Sequence, residues 1–133
     1  MTAVDSSVVV AGMLSWHERH AAARRALDRR PRLVAHCAVE SYSVLTRLPA
    51  PHRVAPNLVH EFLRAEFPGP YVTLSPAGYA RLLRLVATER IVGGAAYDAL
   101  VARTAAEKDA TLLTCDRRAR ETYDRCGVRV EFV

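Results

Sequence analysis

Short apolar runs alternate with longer helical patterns along this chain, and this alternation restricts its fold more than any other feature. Strand candidates lie at residues 2–5, 32–37, 71–75, 111–114 and 128–133. Helical patterns lie at residues 17–30, 39–48, 57–67, 76–90, 95–108 and 117–125. Strands that alternate with helices pack as a parallel sheet covered by helices on both faces. The sequence therefore predicts an α/β fold, a three-layer α/β/α sandwich with a central, mostly parallel sheet.

The length of 133 residues fits one domain over residues 1–133, since about 100–150 residues is the commonest domain size. No apolar stretch approaches the roughly 20 residues that cross a bilayer. Asp5 stands where a signal peptide requires a basic start followed by an apolar core. The three cysteines form no CxxC pair, and an odd number argues against a disulfide framework. We expect a cytoplasmic protein with reduced core thiols and no membrane association.

The end of the first strand candidate is ambiguous from the pattern alone. TAVD at residues 2–5 is typical of a short strand, and the hydroxyl of Ser6 or Ser7 can cap a following helix. The run VVVAGML at residues 8–14 can instead prolong the strand, because β-branched residues favour an extended backbone. Both interpretations stay open at this point.

The chain is basic, with 19 Lys and Arg against 14 Asp and Glu and a formal charge of +5. Lys108 is its only lysine. Arginine pairs with phosphates through a planar fork and stacks on bases, so this composition favours an RNA or DNA partner. A genome-wide preference for arginine codons explains the count equally well, so charge alone does not decide.

Two acids follow strand candidates directly. Asp5 ends the first strand, and Asp116 follows the run TLLTC at residues 111–115. In an open parallel sheet the ligand site lies beyond the carboxyl ends of the strands, where both acids would lie. Each could also be a helix cap only, because a helix N-terminus favours an anion.

Two further acids lie on predicted helices. Asp98 shares the apolar face of the helix at residues 95–108 with Val101 and Ala102. A buried charge needs a partner, and an arginine from another element is the alternative to a metal ion. Glu40 is predicted in the first turn of the helix at residues 39–48, where a role as a first-turn acid is the alternative.

Four carboxylates that converge at one sheet edge repel one another, and their pKa values rise unless a hard cation neutralises them. Carboxylate oxygens and water suit Mg²⁺ or Mn²⁺, whereas the sequence has no cluster of Cys and His that would favour zinc. Such a site activates water for in-line attack on a phosphodiester. We therefore expect a metal-dependent nuclease.

The order of these motifs resembles that of PIN-domain ribonucleases, in particular the VapC-type toxins of bacterial toxin–antitoxin pairs. The motifs are TAVDSS, an acid within VESYSVLTRL, YDALVARTA and LLTCD. The resemblance spans nearly the whole chain and implies that the first strand ends near Asp5 and that SSVVVAGML is helical. It also implies a set of ligands for Mg²⁺ or Mn²⁺, namely Asp5, Glu40, Asp98 and Asp116.

The same resemblance implies supporting roles for Ser7 and Thr114, cleavage of RNA, a homodimer and a cognate antitoxin that blocks the site. Many relatives carry another acid shortly after the last aspartate, where this chain has Arg117 and Arg118. A fully occupied second metal site is therefore not implied. Together with Arg120, these arginines are predicted to hold the RNA backbone, and a solvated helix face is the alternative.

Several aromatic residues stay without a firm role. Trp16, His17 and His20 are candidates for stacking on RNA bases from an exposed helix, with structural or surface roles as the alternative. Tyr97, next to Asp98, is interpreted as core or dimer packing. None of these residues is assigned a catalytic role.

A second function fits the same fold, namely a nucleic-acid-binding regulator that does not cut. Its acids would serve only as caps and ion-pair partners, and Asp98 separates the two hypotheses because a binding surface gains nothing from an acid on an apolar helix face. Phosphotransfer on a receiver-like fold also uses clustered aspartates. It requires a lysine near the site, and Lys108 at a helix end fits that role poorly.

Overall fold

A computed structural model describes all 133 residues. The elements follow in the order β1 (Thr2–Val4), α1 (Ser6–Met13), α2 (His20–Asp28), β2 (Arg32–Leu33), α3 (Ala35–Thr46), α4 (Pro56–Glu66), α5 (Pro76–Thr88), α6 (Ala95–Glu107), β3 (Thr111–Thr114), a 3₁₀ helix (Arg117–Ala119), α7 (Arg120–Arg125) and β4 (Arg129–Phe132). The four strands form one parallel sheet in the order β2-β1-β3-β4, flanked by the seven α-helices. The predicted fold class is confirmed.

Strand β1 lies in the middle of the sheet. Val4 pairs with Leu33 of β2 on one side and with Leu113 of β3 on the other. All three side chains are buried, because the helices cover both faces of a parallel sheet. The carboxyl ends of these strands therefore meet at one edge, and the turns that follow them carry the candidate site.

One contiguous hydrophobic core of 31 buried residues underlies the whole fold. The first helix contributes Val8 and Val9, which are fully buried, and the strands contribute Leu112 and Leu113. None of the helices combines the length and the apolar character that a bilayer crossing requires.

The first helix begins directly after Asp5, so the alternative in which the β-branched run prolongs β1 is wrong. Asp5 itself is the N-cap, and its carboxylate accepts hydrogen bonds from the backbone N–H groups of Ser7 and Val8. The prediction that Ser6 or Ser7 caps α1 is therefore also wrong. A carboxylate at the N-cap satisfies two N–H groups that lack partners within the helix, which stabilises the helical backbone at this point.

The predicted strand at residues 32–37 is mostly helix. Only Arg32 and Leu33 are strand, and α3 begins at Ala35. The Ala35 N–H donates to the Val72 carbonyl at 2.9 Å, which closes strand pairing at this residue. A short apolar run fits a buried strand and a buried helical turn equally well, and here the neighbouring segment decides. Glu40 consequently lies in the second turn of α3, not in the first.

The predicted strand at residues 71–75 is reduced to a single parallel bridge between Val72 and Val34. The Ser75 N–H donates to Glu107 Oε1 at 2.9 Å, so this end of the segment bonds to a side chain and not to a strand. Ser75 then caps α5. Two helices also differ from prediction, since α2 begins at His20 and the stretch after Asp116 starts as a 3₁₀ helix.

Candidate active site

The four predicted carboxylates lie near one another at the carboxyl edge of the sheet. Asp5 and Asp116 follow β1 and β3, Glu40 comes from α3, and Asp98 lies in the first turn of α6. Their proximity has an electrostatic effect, because the charges of Asp116, Glu40 and Asp5 all raise the pKa of Asp98. Residues from four separate segments therefore form one acidic site.

Asp5 is buried, with 3% of its surface exposed. Its Oδ1 accepts hydrogen bonds from the Ser7 N–H at 3.0 Å and from Ser7 Oγ at 2.5 Å, and its Oδ2 accepts one from the Tyr123 hydroxyl at 2.8 Å. Burial raises the pKa of Asp5, while hydrogen bonds from Ser7 and Tyr123 lower it. The contact of Tyr123 with Asp5 was not predicted from the sequence, because a buried aromatic residue on a short helix is typical of core packing.

Ser7 and Thr114 connect the two strand ends. Ser7 Oγ accepts a hydrogen bond from the Cys115 N–H at 2.8 Å and lies 3.2 Å from Thr114 Oγ1. Thr114 Oγ1 in turn accepts one from the Asp116 N–H at 2.9 Å. These hydroxyls fix the backbone that carries both aspartates. The supporting role that the resemblance implies for them stays a prediction.

Glu40 is held from two sides. Ser6 Oγ donates to Glu40 Oε1, and His36 Nε2 lies 3.1 Å from Oε2. The His36 ring stacks on Tyr97 with 5.3 Å between the ring centroids and 9° between the planes. Tyr97 is 59% exposed, so its interpretation as core packing is wrong. The spacing of four residues between His36 and Glu40 is the sequence signal that could have identified this pair.

Asp98 is half-buried, and no hydrogen bond or salt bridge joins its carboxylate to another side chain. Its predicted helix face is correct, since Val101 and Ala102 are buried. Burial, followed by the neighbouring carboxylates, raises the pKa of Asp98 from 3.8 to about 6. The alternative of a structural ion pair with an arginine is therefore not what the structure contains.

Asp116 caps the 3₁₀ helix, because its Oδ1 accepts the Arg118 N–H at 3.0 Å. Arg118 Nε lies 3.4 Å from the same oxygen, and this side chain is 94% exposed. The Arg117 guanidinium lies over the Phe132 ring at 4.9 Å from its centroid. Arg120 also approaches that ring and pairs with Asp124 at 3.6 Å. The capping interpretation thus holds for Asp116 as it does for Asp5.

An open groove of about 600 Å³ runs beside this site. Polar and charged side chains from four segments line it, including Ser7, Glu40 and Asp116, together with His17, Arg19, Arg117 and Arg118. Sequence reasoning missed Arg19, which lies in the α1–α2 connection and reaches the groove near Cys115. Arg120, Asp5 and Asp98 are not among the lining residues.

The thiols differ in their surroundings. Cys37 and Cys126 are buried, as expected for core thiols, and all three cysteines are free. Cys115 lines the groove and is only half-buried, so it packs against the core from its edge and is not a fully buried core thiol. Burial raises the pKa of the Cys115 thiol, which keeps it protonated near neutral pH and makes it a poor nucleophile.

The oxygen donors and the negative charge of the site suit a hard divalent cation. The positions of the side chains do not form a metal-binding cluster. Its donors are carboxylate and hydroxyl oxygens, and Asp98 offers a carboxylate without a hydrogen-bond partner. No three His, Cys, Asp or Glu side chains lie close enough together, as they stand, to hold a metal ion. Asp5, Glu40 and Asp116 instead accept hydrogen bonds from neighbouring residues.

A parallel sheet with acids gathered at its carboxyl edge is the architecture of a known class of proteins. Residues 2–125 match the PIN domain, and the chain belongs to the PIN domain family. Its curated relatives include Ribonuclease VapC40 of Mycobacterium tuberculosis (strains H37Rv and CDC 1551 / Oshkosh), which is 53% identical over 133 residues, or 100% of this chain and 99% of VapC40. Ribonuclease VapC27 of Mycobacterium tuberculosis H37Rv is 43% identical over 129 residues, or 96% of this chain and 93% of VapC27.

Two solved structures share the fold. FitAB bound to an IR36 DNA fragment matches with a TM-score of 0.74 at 19% identity, over 99% of this chain and 94% of that one. FitAcB from Neisseria gonorrhoeae matches with a TM-score of 0.70 at 22% identity, over 98% and 96%. The family match and the two relatives named VapC confirm the resemblance to PIN-domain ribonucleases of the VapC type that was drawn from the sequence motifs.

Proposed function

We propose that this chain is an endoribonuclease that depends on Mg²⁺ or Mn²⁺ and acts as the toxin of a toxin–antitoxin pair. The full-length similarity to two proteins named ribonucleases supports the activity. The acidic site beside an arginine-lined groove supports the chemistry, because cleavage of RNA needs both a cation for the reaction and basic groups for the phosphates.

The observation that carries this proposal is the environment of Asp98. Its carboxylate is half-buried and forms no salt bridge, and burial and three other carboxylates raise its pKa to about 6 against the opposing charge of Arg118. A protein that only bound nucleic acid would gain nothing from this repulsion, because phosphates are themselves negative. A divalent cation offsets it, since the same oxygens then become ligands.

In this proposal four carboxylates hold the ion, namely Asp5, Glu40, Asp98 and Asp116. A bound cation would supply an activated water for attack on the phosphodiester and would neutralise charge on the departing oxygen. Ser7 and Thr114 keep Asp5 and Asp116 oriented through their hydrogen bonds. Arg117 and Arg118, at the groove wall, bind the phosphates on either side of the scissile bond.

The test is cleavage of RNA by the purified chain with and without Mn²⁺ or Mg²⁺. Asp98→Asn and Asp116→Asn should each lower the rate by at least about 100-fold, the scale of loss seen when a group that stabilises the transition state is removed. Asp28→Asn, an exposed acid at the end of α2, should cut at the parent rate. Equal rates for Asp98→Asn and Asp28→Asn would refute the proposal.

Metal binding is measured separately by calorimetry. Titration of the parent chain with Mn²⁺ should give a binding isotherm that is lost when Asp5 and Asp98 are both replaced by asparagine. Circular dichroism of the double variant checks that it remains folded, because Asp5 also caps α1. A folded double variant that binds Mn²⁺ like the parent would exclude these residues as ligands.

A nucleic-acid-binding regulator without cleavage activity is the second candidate. Two observations favour it: Asp5 and Asp116 each cap a helix, and no three candidate ligands lie close enough to hold a metal ion. In that case the parent chain binds RNA or DNA but leaves it intact at every metal concentration. The cleavage assay with Mn²⁺ therefore decides between the two candidates.

The proposal includes the assembly and location of the toxin. We propose that residues 1–133 form one catalytic domain, that two copies form a homodimer and that an antitoxin protein covers the groove. Large apolar side chains exposed on the monomer support a protein interface, among them Val92 (76%) and Val39 (73%). The free cysteines are in keeping with the cytoplasm. Sedimentation of the purified chain measures the proposed dimer.

A further inference from the structure

The only tryptophan of the chain lies exposed beside the groove. Trp16 belongs to the connection between α1 and α2 and is 55% exposed. Its ring centroid lies 4.4 Å from that of His52 and 6.3 Å from that of His17. His17 lines the groove, and Trp16 is its neighbour just outside the lining residues, so the indole lies next to the groove wall.

The two loops that carry these rings are fixed by hydrogen bonds of their own. The His17 N–H donates to the Leu14 carbonyl at 3.0 Å, and the Arg19 N–H donates to His17 Nδ1 at 3.0 Å. In the α3–α4 connection the His52 N–H donates to the Pro49 carbonyl at 2.9 Å. A flat ligand that packs on Trp16 would thus lose little affinity to the ordering of these loops.

The third aromatic candidate of this region has a different role. His20 Nδ1 lies 2.8 Å from the Ala11 carbonyl, which ties the start of α2 to α1. Trp16 and His17 lie in the α1–α2 connection and not on a helix, so the prediction of an exposed helix is wrong for them. The α1–α2 connection therefore holds the exposed indole of Trp16.

We propose that Trp16, with His52 packed behind it, stacks on an unpaired base of single-stranded RNA whose backbone lies in the groove. This site rests on the proposed function and adds to it a subsite for the bases next to the cut. Arg19, Arg117 and Arg118 line the same groove, which also contains Glu18, Glu40 and Asp116. Of these arginines, Arg19 and Arg117 form no salt bridge, so their guanidinium groups are free to bind a phosphate backbone. Aromatic rings stack on every base, so this subsite accepts RNA of any sequence.

Trp16 fluorescence reports this contact directly, because the chain has no other tryptophan. The measurement uses the full chain with Asp98→Asn and no added divalent metal, so that the RNA stays intact while it is bound. Single-stranded RNA of about ten nucleotides, comparable to the site sizes of proteins that bind single strands, is titrated with correction for its absorbance. Saturable quenching is expected. An abasic backbone of equal length should bind the arginines with little quenching.

Variants test the energetic role of the ring. In the same Asp98→Asn chain, Trp16→Ala should weaken binding of labelled RNA by about 5- to 100-fold, the range expected for the loss of one stacked base. Trp16→Phe should retain most of the affinity. Tyr79→Ala removes an exposed aromatic ring from α5, outside the groove, and should leave the affinity unchanged.

Two results would overturn this inference. Trp16 fluorescence that stays constant at saturating RNA would exclude stacking. A Trp16→Ala chain that binds RNA as tightly as the parent would also exclude it, and would leave the indole to a protein partner. Failure of the proposed cleavage activity is distinguishable from both, because it appears in assays of the unaltered chain and leaves the binding measurements valid.

Discussion

Asp98 holds its proton more tightly in the folded protein than in the unfolded chain, because burial and neighbouring carboxylates raise its pKa from 3.8 to about 6. Below about pH 4 both states are protonated at this residue and the shift has no effect on stability. Between about pH 4 and pH 6 the folded state binds more protons, so its free energy of unfolding falls as the pH rises. Above that window the ionised carboxylate destabilises the fold fully.

The raised pKa of Asp98 therefore predicts that removal of its charge increases the free energy of unfolding. Without divalent metal, Asp98→Asn should unfold at a higher urea concentration than the parent at neutral pH, because the amide cannot be repelled by its neighbours. The difference should disappear below about pH 4. Urea unfolding in EDTA at both pH values measures it, with Asp28→Asn as the control. A difference of equal size at both pH values would contradict the assignment to Asp98 ionisation.

Tyr123 makes a second prediction at the scale of one residue. Its hydroxyl donates to Asp5 Oδ2 in a buried setting, and Tyr123→Phe removes only that donor. We expect a loss of about 1–3 kcal/mol in the free energy of unfolding, the cost of leaving a buried acceptor without its partner. The variant should also need more Mn²⁺ for half-maximal RNA cleavage, because Asp5 loses orientation.

The matched control for this variant is Tyr71→Phe, since Tyr71 is 39% exposed and lies outside the site. Urea unfolding and metal-dependent cleavage are measured on both variants. If Tyr123→Phe has the stability and the metal requirement of Tyr71→Phe, the hydroxyl of Tyr123 has no role in positioning Asp5.

At the scale of elements, patterns identified most strands and helices and failed on the apolar runs at residues 32–37 and 71–75. Pro76 sets the start of α5, and β3 at Thr111–Thr114 has the bounds that the run TLLT predicts. The run at residues 32–37 fits strand and helix alike. Its outcome depends on the bond from the Ala35 N–H to the Val72 carbonyl, which joins segments far apart in sequence. Such a bond has no local signature.

The candidate site likewise has residues that the sequence predicts and contacts that it does not predict. The four acids have positions that sequence reasoning can reach, because strand ends and helix faces leave patterns. Their supporting contacts do not, because Tyr123 and Asp5 are separated by 118 residues and Ser6 and Glu40 by 34. The positions of these acids in the fold were thus predictable, and their role as ligands stays a prediction. The hydrogen bonds that orient the carboxylates required the structure.

Two serines that fix element ends allow a paired prediction. Ser7 joins the start of α1 to the end of β3, and Ser75 caps α5 and donates to Glu107 at 2.9 Å. Ser7→Ala and Ser75→Ala should each lower the free energy of unfolding by about 1 kcal/mol, the usual cost of a lost hydrogen bond or cap. Only Ser7→Ala should also slow RNA cleavage, because Ser7 bonds to Asp5.

Urea unfolding and cleavage rates at saturating Mn²⁺ measure both serine variants. Ser75→Ala serves as the control for a general loss of stability, since α5 takes no part in the site. A cleavage rate that falls equally in the two variants would mean that Ser7 acts through stability alone and not through the position of Asp5.

At the scale of the whole molecule, a formal charge of +5 does not by itself identify an RNA-binding surface. Many arginines are engaged within the fold, for example Arg24 with Glu66 at 2.7 Å and Arg29 with Glu131 at 2.6 Å. Arg117 and Arg19 line the groove beside the acids and take part in no salt bridge. The position of the charge, more than its amount, favours RNA as the partner over codon usage as the explanation.

The salt dependence of RNA binding shows whether RNA binds the arginines of the groove or responds to the net charge of the molecule. In an Asp98→Asn chain without divalent metal, the logarithm of the binding constant should fall linearly with that of the salt concentration, by roughly 0.7 for each phosphate contact. Arg117→Ala should reduce the slope by about one such contact. Arg84→Ala removes the same charge from exposed α5, outside the groove, and should leave the slope unchanged. If both variants alter the slope equally, RNA responds to the net charge of the molecule and the groove is not its binding site.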